Sequence, residues 1–330
     1  MCTPSHRMAK GAWLKKAVFL THANPQGYRI QQYFPYLSER GYEVELITSR
    51  IGFLKALPAI RAAHVVYIQR LLFDSIKLAI IRALAHRLVY DFDDAVMFGT
   101  KGESPTRMRK FKNMVSRADL VLAGNHFLLE EAKKYRREGV FYVPTVVDTG
   151  DYPVKEHTDI SPVTVGWIGS SSTLKYLDMI GELFTATGTD NTIRFKVIAD
   201  RPPSIENKDV IFERWTSEGE KSALLSLDMG IMPLRDDIWS KGKCGLKLIQ
   251  YMATGLPSIT HPIGAALEIV EDGFNGFIRA DMDGWIESVE MLARDALLRK
   301  KMGRAARATV EERYSLHVWG PRVAGLIDNL

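Results

Sequence analysis

The stretch KCGLKLIQYMATGLPSITHPIGAALEIVEDGFNGFI, residues 243–278, decides the fold because it predicts a helix, a strand and a glycine-bearing loop in succession. Apolar residues recur at helical spacing over residues 245–253, while Lys247 and Gln250, three apart, share another face of that helix. Gly255 ends the helix, and the β-branched residues after it predict a short buried strand. Two polar groups on one face of such a helix indicate a ligand site.

The loop after this strand carries the second part of the predicted site. Gly264 and Ala265 come directly before a helical pattern that covers residues 265–271. The first N–H groups of a helix have no acceptor within the helix, and they attract anions. The loop therefore predicts an anionic ligand, for which phosphate is the natural candidate.

These residues resemble the donor-binding segment of retaining glycosyltransferases of the GT-B fold, the glycogen-synthase-like group 1 family. That family carries two glutamates in this segment, and here Gly242 stands in place of the first and Gln250 in place of the second. Glu268 and the residues that follow it match the family pattern. The resemblance is strongest over residues 163–278, and it implies an α/β protein in which two doubly wound Rossmann-like domains face a cleft.

Composition fits a soluble protein with two domains, since 46% of the 330 residues are apolar and 25% are charged. Cys2 and Cys244 lie too far apart for a disulfide framework or a zinc motif, which fits a reducing cytoplasm. The apolar runs are too short or too interrupted by charge for a secretion signal or a membrane span. We therefore expect a cytoplasmic protein.

Charge is divided unevenly between the two halves of the chain. Residues 1–150 hold 23 Lys and Arg against 13 Asp and Glu, whereas residues 151–330 hold 21 against 26, so the halves carry about +10 and −5. The first half is thus expected to meet an anionic partner. A membrane surface, a lipid phosphate or a nucleic acid would each fit this charge, and solvated surface charge is the alternative. The prediction is an anionic membrane surface on the inner face of the cell, with no nucleic acid.

Two basic segments could make the predicted membrane contact. In the first, apolar residues alternate with basic ones: Phe53, Leu54, Lys55, Leu57, Ile60 and Arg61. The second is a helix candidate that contains Arg107, Arg109, Lys110 and Lys112. A buried helix with solvated lysines at its margin is the alternative for the first segment.

Strand and helix patterns alternate along the whole chain and predict its division into domains. Residues 1–150 form the acceptor-side domain with a loose arm at 1–14, and residues 151–161 form a linker. Residues 162–315 form the nucleotide-sugar domain, and the resemblance implies that a helix at 316–330 packs back on the first domain. Residues 28–40 are predicted as one helix of the first domain.

The stretch LVYDFDD, residues 88–94, predicts a strand whose carboxyl end carries three acids, and open parallel sheets bind ligands at such ends. Resemblance to a subset of the family implies that Asp93 and Asp94 orient sugar hydroxyls. Carboxylate oxygens also suit Mg²⁺ or Mn²⁺. The stretch further resembles the first motif of haloacid-dehalogenase-like phosphatases, with Asp91 as nucleophile and Asp93 as acid and base. The prediction follows the first interpretation and assigns no metal.

The remaining predicted site residues follow from the resemblance, with a nucleoside-diphosphate sugar as donor substrate and no cofactor. The residues implied to contact the donor are Gly27, Arg29, Gly169, Ser170, Lys175, Trp215, Lys243, Lys247, Gln250, Gly264, Ala265 and Glu268. Lysines would stabilise the leaving diphosphate, so Lys175 and Lys247 join Asp93 and Asp94 as the catalytic residues. Solvated lysines and a structural glutamine are the alternatives.

The predicted function is transfer of the sugar, with retention of configuration, to a glycan or lipid-linked acceptor. The first family glutamate is absent at Gly242. A protein that binds nucleotide sugar without turning it over is therefore the alternative, ahead of the phosphatase.

Overall fold

The computed structural model describes residues 14–22, 27–99, 102–187, 192–205 and 210–330. Within these ranges the chain forms two six-stranded sheets in which every pair of neighbouring strands is parallel. The inner strands of such sheets are covered on both faces, which explains why most of them are near-continuous buried runs, whereas the edge strands Tyr42–Thr48 and Val210–Arg214 carry exposed polar residues.

The first sheet has the strand order β2-β1-β3-β4-β5-β6. Its strands are β1 Lys15–Thr21, β2 Tyr42–Thr48, β3 Val65–Gln69, β4 Arg87–Phe92, β5 Leu120–Ala123 and β6 Val140–Tyr142. The accompanying helices are α1 Phe34–Ser38, α2 Phe53–Ala62, α3 Ser75–Leu84, α4 Pro105–Arg117 and α5 His126–Lys133. Helices α2 to α5 bury one face of the sheet, with Ile60, Leu78 and Phe111 fully enclosed.

The second sheet has the strand order β12-β11-β10-β7-β8-β9. Its strands are β7 Val163–Ile168, β8 Ile193–Ala199, β9 Val210–Arg214, β10 Met229–Met232, β11 Ser258–Thr260 and β12 Gly276–Ile278. The helices are α6 Leu183–Ala186, α7 Glu220–Leu225, α8 Ile238–Lys241, α9 Leu246–Ala253, α10 Ala266–Ile269, α11 Met282–Arg294, α12 Ala296–Arg313 and α13 Leu316–Asp328. Short 3-10 helices cover Gly27–Arg29, Gln31–Tyr33, Thr149–Asp151 and Ser171–Ile180.

The last helix, α13, leaves the second domain and covers the other face of the first sheet. Val323 and Ile327 are buried there against Phe19 and its neighbours. At the crossing the backbone of Val147 donates to Tyr314 and accepts from Leu316, at 3.1 and 2.8 Å. The two segments that connect the domains are therefore hydrogen-bonded to each other.

The helix predicted over residues 28–40 is wrong in extent. The structure has two 3-10 turns followed by α1, which begins at Phe34. Pro35 has no N–H and so cannot take a position inside an α-helix without losing a bond, but it is accommodated in the first turn of α1. The predicted arm, residues 1–14, lies outside the described residues except for Leu14.

No helix among the described residues is both long and apolar enough to cross a membrane. Residues 152–162, which contain most of the predicted linker, form neither helix nor strand.

Candidate functional site

The carboxyl ends of the two sheets face each other, and the residues that follow β4 meet the segment between α8 and α9. Nζ of Lys243 lies 3.0 Å from Oδ1 of Asp94, and Sγ of Cys244 lies 3.2 Å from the backbone oxygen of Asp93. Asn125, which caps α5, donates to the backbone oxygens of Lys241 and Lys243 at 2.9 and 3.0 Å. Loops of both domains thus line one site.

Arg29 does not face this site, contrary to its prediction as a donor contact. Its guanidinium donates to both carboxylate oxygens of Asp91, at 2.6 to 3.1 Å, and to the backbone oxygen of Val143. Both side chains are at most 1% exposed. A buried bidentate pair of this kind fixes structure, and its burial closes the guanidinium to a ligand in the cleft.

The same pair excludes the phosphatase interpretation for Asp91. A phosphorylated aspartate has to reach a substrate, whereas Asp91 is fully buried and both of its oxygens accept hydrogen bonds from Arg29. Gly27, the other residue predicted in this loop, lies in a short 3-10 helix at the start of the same segment.

Asp93 is held by Arg70, a residue that the sequence analysis missed. Nη2 of Arg70 lies 2.6 Å from Oδ2 of Asp93, Nε of Arg70 contacts Oδ1, and the amide of Gln69 donates to Oδ1 at 3.3 Å. Burial opposes the charge of Asp93, but Arg70, together with Arg29 and Lys243, more than offsets this, and the pKa of Asp93 is lowered below its usual value. Asp93 is 7% exposed, so it is placed to support the site more than to contact a ligand.

Asp94 lies nearer to the cleft than Asp93 does. It pairs with Arg70 at 3.1 Å and, across the cleft, with Lys243 at 3.0 Å, and its side chain is 18% exposed. Arg70 could have been found by extending the strand alternation one residue beyond β3, since the ends of β3 and β4 are neighbours in the sheet. In the described part of the chain no group of three or more His, Cys, Asp or Glu residues could hold a metal ion.

Gly242, which stands in place of the first family glutamate, is packed against the first domain. A Cβ added to Gly242 would lie 2.5 Å from Cβ of Ala95 and 2.9 Å from its backbone nitrogen. No side chain fits at position 242 while Ala95 is in this place. The residue before Ala95 is Asp94, whose carboxylate pairs with Lys243, the residue after Gly242.

Lys247, unlike Lys243, has no carboxylate partner among the described residues. Its Nζ lies 5.0 Å from the centre of the Trp167 ring and 3.4 Å from Oγ1 of Thr173, and within the described residues no carboxylate lies in ion-pair range. Burial, and secondarily the charge of Lys243, lowers the pKa of Lys247 to about 8. Gly169 makes room for this side chain, because a Cβ there would lie 2.5 Å from Cε of Lys247.

The other predicted residues of this loop are exposed. Ser170 shares a hydrogen bond with Ser172 at 2.8 Å between their hydroxyl oxygens, and its backbone oxygen accepts from Thr173. Lys175 lies in the 3-10 helix Ser171–Ile180 with its Nζ 5.5 Å above the ring of Tyr176. Exposed hydroxyls and an exposed ammonium beside Lys247 suit a large, highly hydrated anion.

Gln250, which was predicted to contact the donor, is bound within the protein. Its Nε2 donates to Oε1 of Glu220 at 2.9 Å, and Tyr28 donates to the same oxygen at 2.5 Å. Nε1 of Trp215 donates to the other oxygen of Glu220 at 2.9 Å. Glu220, which the sequence analysis missed, is therefore the centre of a mostly buried cluster that joins the two domains.

Trp215 keeps 40% of its surface exposed while its indole nitrogen is bound to Glu220. Its contact with the donor stays a prediction. Glu220 gave no signal in the sequence, because two of its three partners are distant: Tyr28 lies 192 residues upstream and Gln250 lies 30 residues downstream.

The loop at Gly264 has the backbone that the sequence analysis expected, although the helix after it is shorter. Helix α10 has four residues, Ala266–Ile269, and Gly264 adopts a positive φ of 57°, which favours glycine. The N–H groups of Gly264 and Ala265 have no acceptor within the part of the chain that the structure describes. They are available to a ligand.

Glu268 contacts the first domain. Its Oε1 accepts from the backbone nitrogen of His126 at 3.1 Å, and its Oε2 lies 2.9 Å from Nδ1 of the same residue. The structure therefore gives Glu268 a partner across the cleft, and its predicted donor contact stays a prediction.

Comparisons with known proteins agree with this architecture. Residues 162–295 match the model of the family described as Glycosyl transferases group 1, so the resemblance predicted from the sequence is confirmed over that range. No curated protein sequence matches this one significantly.

Solved structures match nearly the whole chain. HepE of Anabaena, in complex with UDP and glucose, has a TM-score of 0.76 at 16% identity over 96% of this chain and 100% of that one. Sucrose-phosphate synthase of Thermosynechococcus elongatus has a TM-score of 0.69 at 13% identity over 94% and 98%. A glycosyltransferase of Rickettsia africae has a TM-score of 0.72 at 11% identity over 96% and 98%. The chain has the GT-B fold, and the predicted fold class is confirmed.

Proposed function

We propose that this protein transfers a sugar from a nucleoside-diphosphate sugar to a glycan or lipid-linked acceptor, with retention of configuration. The observation that carries the proposal is Lys247, a half-buried cation with no carboxylate in ion-pair range among the described residues. Partial burial removes part of the hydration of the lysine charge, which costs free energy, and a bound anion offsets this cost by pairing with the charge.

The surroundings of Lys247 fit a diphosphate. Lys243 lies near enough to lower the pKa of Lys247, Lys175 is exposed on the adjacent loop, and Gly264 and Ala265 offer backbone N–H groups. During transfer the bond between the anomeric carbon and the diphosphate oxygen breaks, and negative charge grows on that oxygen. Fixed cations and N–H groups at this position stabilise the transition state more than the ground state.

The acceptor hydroxyl attacks the anomeric carbon from the face that the diphosphate leaves, and its proton passes to the departing phosphate oxygen. In this scheme no side chain acts as a base. Asp94 is placed to orient sugar hydroxyls from the first domain, while Arg70 and Asp93 hold it in position.

The alternative of a binding protein without turnover rested on the absent glutamate at position 242. Ala95 occupies that space and Asp94 lies beside it, so a carboxylate is still present at the site. This observation favours an enzyme over a nucleotide-sugar-binding protein.

Ligand binding tests the proposal first. A ligand at 100 times its Kd adds about 2.7 kcal/mol to the free energy of unfolding, so UDP, GDP and their sugars should be compared by thermal unfolding. The complexes of HepE with UDP and glucose make UDP-glucose the first donor to try. Nucleoside diphosphate released on addition of acceptor, with an unchanged anomeric configuration in the NMR spectrum of the product, supports transfer. Binding of the nucleotide sugar with neither transfer nor slow hydrolysis of the donor supports the binding protein. The absence of binding refutes both the transferase and the binding protein.

A further inference from the structure

Three neighbouring helices of the first domain form one continuous surface. Helix α2 packs against α3, and α3 packs against α4. Nζ of Lys77 in α3 lies 5.9 Å from the centre of the Phe53 ring in α2, and Nδ2 of Asn113 in α4 donates to Oγ of Ser75 at 3.2 Å. The inner side of this layer covers the sheet, and the outer side is the surface of interest.

The outer side exposes large apolar side chains that belong to different helices. Leu54 at the start of α2 is 76% exposed, and Ile76 at the start of α3 is 74% exposed. Ile80, one turn after Ile76, and Ile51, just before α2, are also exposed. Single exposed aliphatic residues are ordinary, but a group of them on contacting elements marks an interaction site.

The structure corrects the apolar set expected from the sequence for this segment. Ile60 is fully buried, and Phe53 and Leu57 are half-buried and pack against the core. Of the four apolar residues predicted in α2, Leu54 is the one that points outward, and Ile76 and Ile80 of α3 complete the set.

Charge on these helices has a single sign. Over their full lengths α2 and α3 carry two Lys or Arg residues each and α4 carries five, and none of the three helices contains Asp or Glu. Asp74, which caps α3, is paired with Lys77. An acidic protein partner would be attracted by this charge as well, but exposed aliphatic side chains among Lys and Arg residues, with no acid on the same helices, are typical of helices that lie on an anionic membrane. An anionic bilayer accounts for both.

The position of the surface relative to the cleft adds a further argument. Helices α2, α3 and α4 follow β2, β3 and β4, so their first turns lie at the carboxyl edge of the first sheet. That edge also carries Asp93 and Asp94. Leu54 and Ile76 are therefore on the same side of the domain as the opening of the site.

We propose that the outer surface of α2, α3 and α4 docks on a lipid bilayer that contains anionic phospholipid. Leu54, Ile76 and Ile80 enter the interface between headgroups and acyl chains, while exposed basic residues such as Lys55, Arg109 and Lys112 face the phosphates. Arg82 of α3 is paired with Asp119 instead. Docking in this orientation holds the cleft against the bilayer. The further step, that the acceptor is lipid-linked, rests on the proposed transferase function, whereas docking itself does not.

Vesicle flotation of the purified full chain, without donor or acceptor, tests docking independently of transfer. We expect binding to vesicles that contain phosphatidylglycerol, weak binding to phosphatidylcholine alone, and release at high salt. Each basic residue near the surface raises the partition coefficient about fivefold. The double variant Leu54→Gln/Ile76→Gln should lower it tenfold or more, since two exposed aliphatic side chains lose their apolar burial.

A matched control is available in the second domain. Leu297 in α12 is 78% exposed, nearly the same as Leu54, so Leu297→Gln should float as the wild type does. Thermal unfolding of all variants establishes that they are folded.

Four results would overturn the proposal. The first is failure of the wild type to float with anionic vesicles, and the second is binding to neutral vesicles at high salt as strong as binding to anionic vesicles at low salt. The third is unchanged binding of the double variant. The fourth is a dimer of the wild type that the double variant does not form, while neither protein binds vesicles. The last result would assign the surface to a second copy of the chain.

Discussion

The charged side chains at the two facing sheet edges differ in whether they have an ion-pair partner. In the first domain Asp91 is paired with Arg29, and Asp93 and Asp94 are paired with Arg70. In the second domain, within the described ranges, neither Lys175 nor Lys247 has a carboxylate in ion-pair range. The three carboxylates of the first edge are all paired, with two arginines of their own domain and with Lys243 of the second domain. Lys175 and Lys247 of the second edge keep their positive charge without such a partner among the described residues.

This difference separates charged side chains that stabilise the structure in ion pairs from charged side chains that are free to pair with a ligand. A buried ion pair such as that of Arg29 and Asp91 is costly to break, because the remaining charge is left without a partner. A half-buried lysine without a partner is costly to keep, and its pKa falls to about 8 as a result. Only the second kind gains by binding an anion.

The largest effect should come from breaking the buried pair. Replacement Arg29→Met leaves the carboxylate of Asp91 uncompensated and should reduce the free energy of unfolding by about 3–5 kcal/mol. Urea unfolding at neutral pH measures this change.

The double variant Arg29→Met/Asp91→Leu provides the control, because replacing both members of a buried pair with apolar residues is often near neutral. It should recover most of the lost stability. If Arg29→Met were stable and instead raised the KM for the donor, Arg29 would be a donor contact, as the sequence suggested.

The next effect should come from the unpaired lysine. Replacement Lys247→Ala should lower kcat/KM for the donor by about 10²–10³, which is the typical cost of removing one donor to a developing oxyanion. Its stability should equal or exceed that of the wild type, since a poorly solvated charge is removed. Steady-state kinetics with urea unfolding on the same sample separates the two effects, and unchanged kcat/KM would refute the role of Lys247.

A smaller effect is expected at the carboxylate that pairs across the cleft. Replacement Asp94→Asn keeps the shape but removes the charge that contacts Lys243 and Arg70, and it should lower kcat by about ten- to a hundredfold. The wild type should keep its activity in EDTA. If EDTA abolished the activity and Mn²⁺ restored it, Asp94 would be a metal ligand instead.

The smallest effect is the pH dependence of donor use. Lys247 binds the diphosphate when protonated, so kcat/KM should be constant below its pKa of about 8 and should fall about fivefold from pH 8 to pH 9. The variant Lys247→Arg should remain flat over this interval, since a guanidinium keeps its charge. An equal decline in this variant would assign the pH dependence to another group.

Much of the fold could be predicted from the sequence, because it depends on local patterns. Buried apolar runs identified β1, β3 and β7, and Gly255 marked the end of α9. The helix over residues 28–40 was overestimated because Pro35 was given too little weight against the apolar spacing around it.

The site could be predicted only where its residues are close in sequence. Lys247 and Gly264 lie in one stretch, where the spacing of the residues predicted a polar helix face and a glycine-bearing loop, and the structure has helix α9 and a positive φ at Gly264 there. Their contact with the donor stays a prediction. The pairing of Arg29 with Asp91 joins residues 62 apart, and the contact of Gln250 with Glu220 joins residues 30 apart on separate helices. Such pairings depend on how the elements pack, and a single sequence carries no local sign of them.

The crossing at Val147 and Ser315 has a consequence for motion. The chain passes between the domains twice, and at the crossing the two passages lie side by side as a short parallel ladder. Two adjacent tethers resist sliding and separation of the domains but permit one to swing against the other about the ladder. Opening of the cleft is therefore expected to be a hinge rotation of one domain about residues 147 and 315, with displacements that grow with distance from these residues.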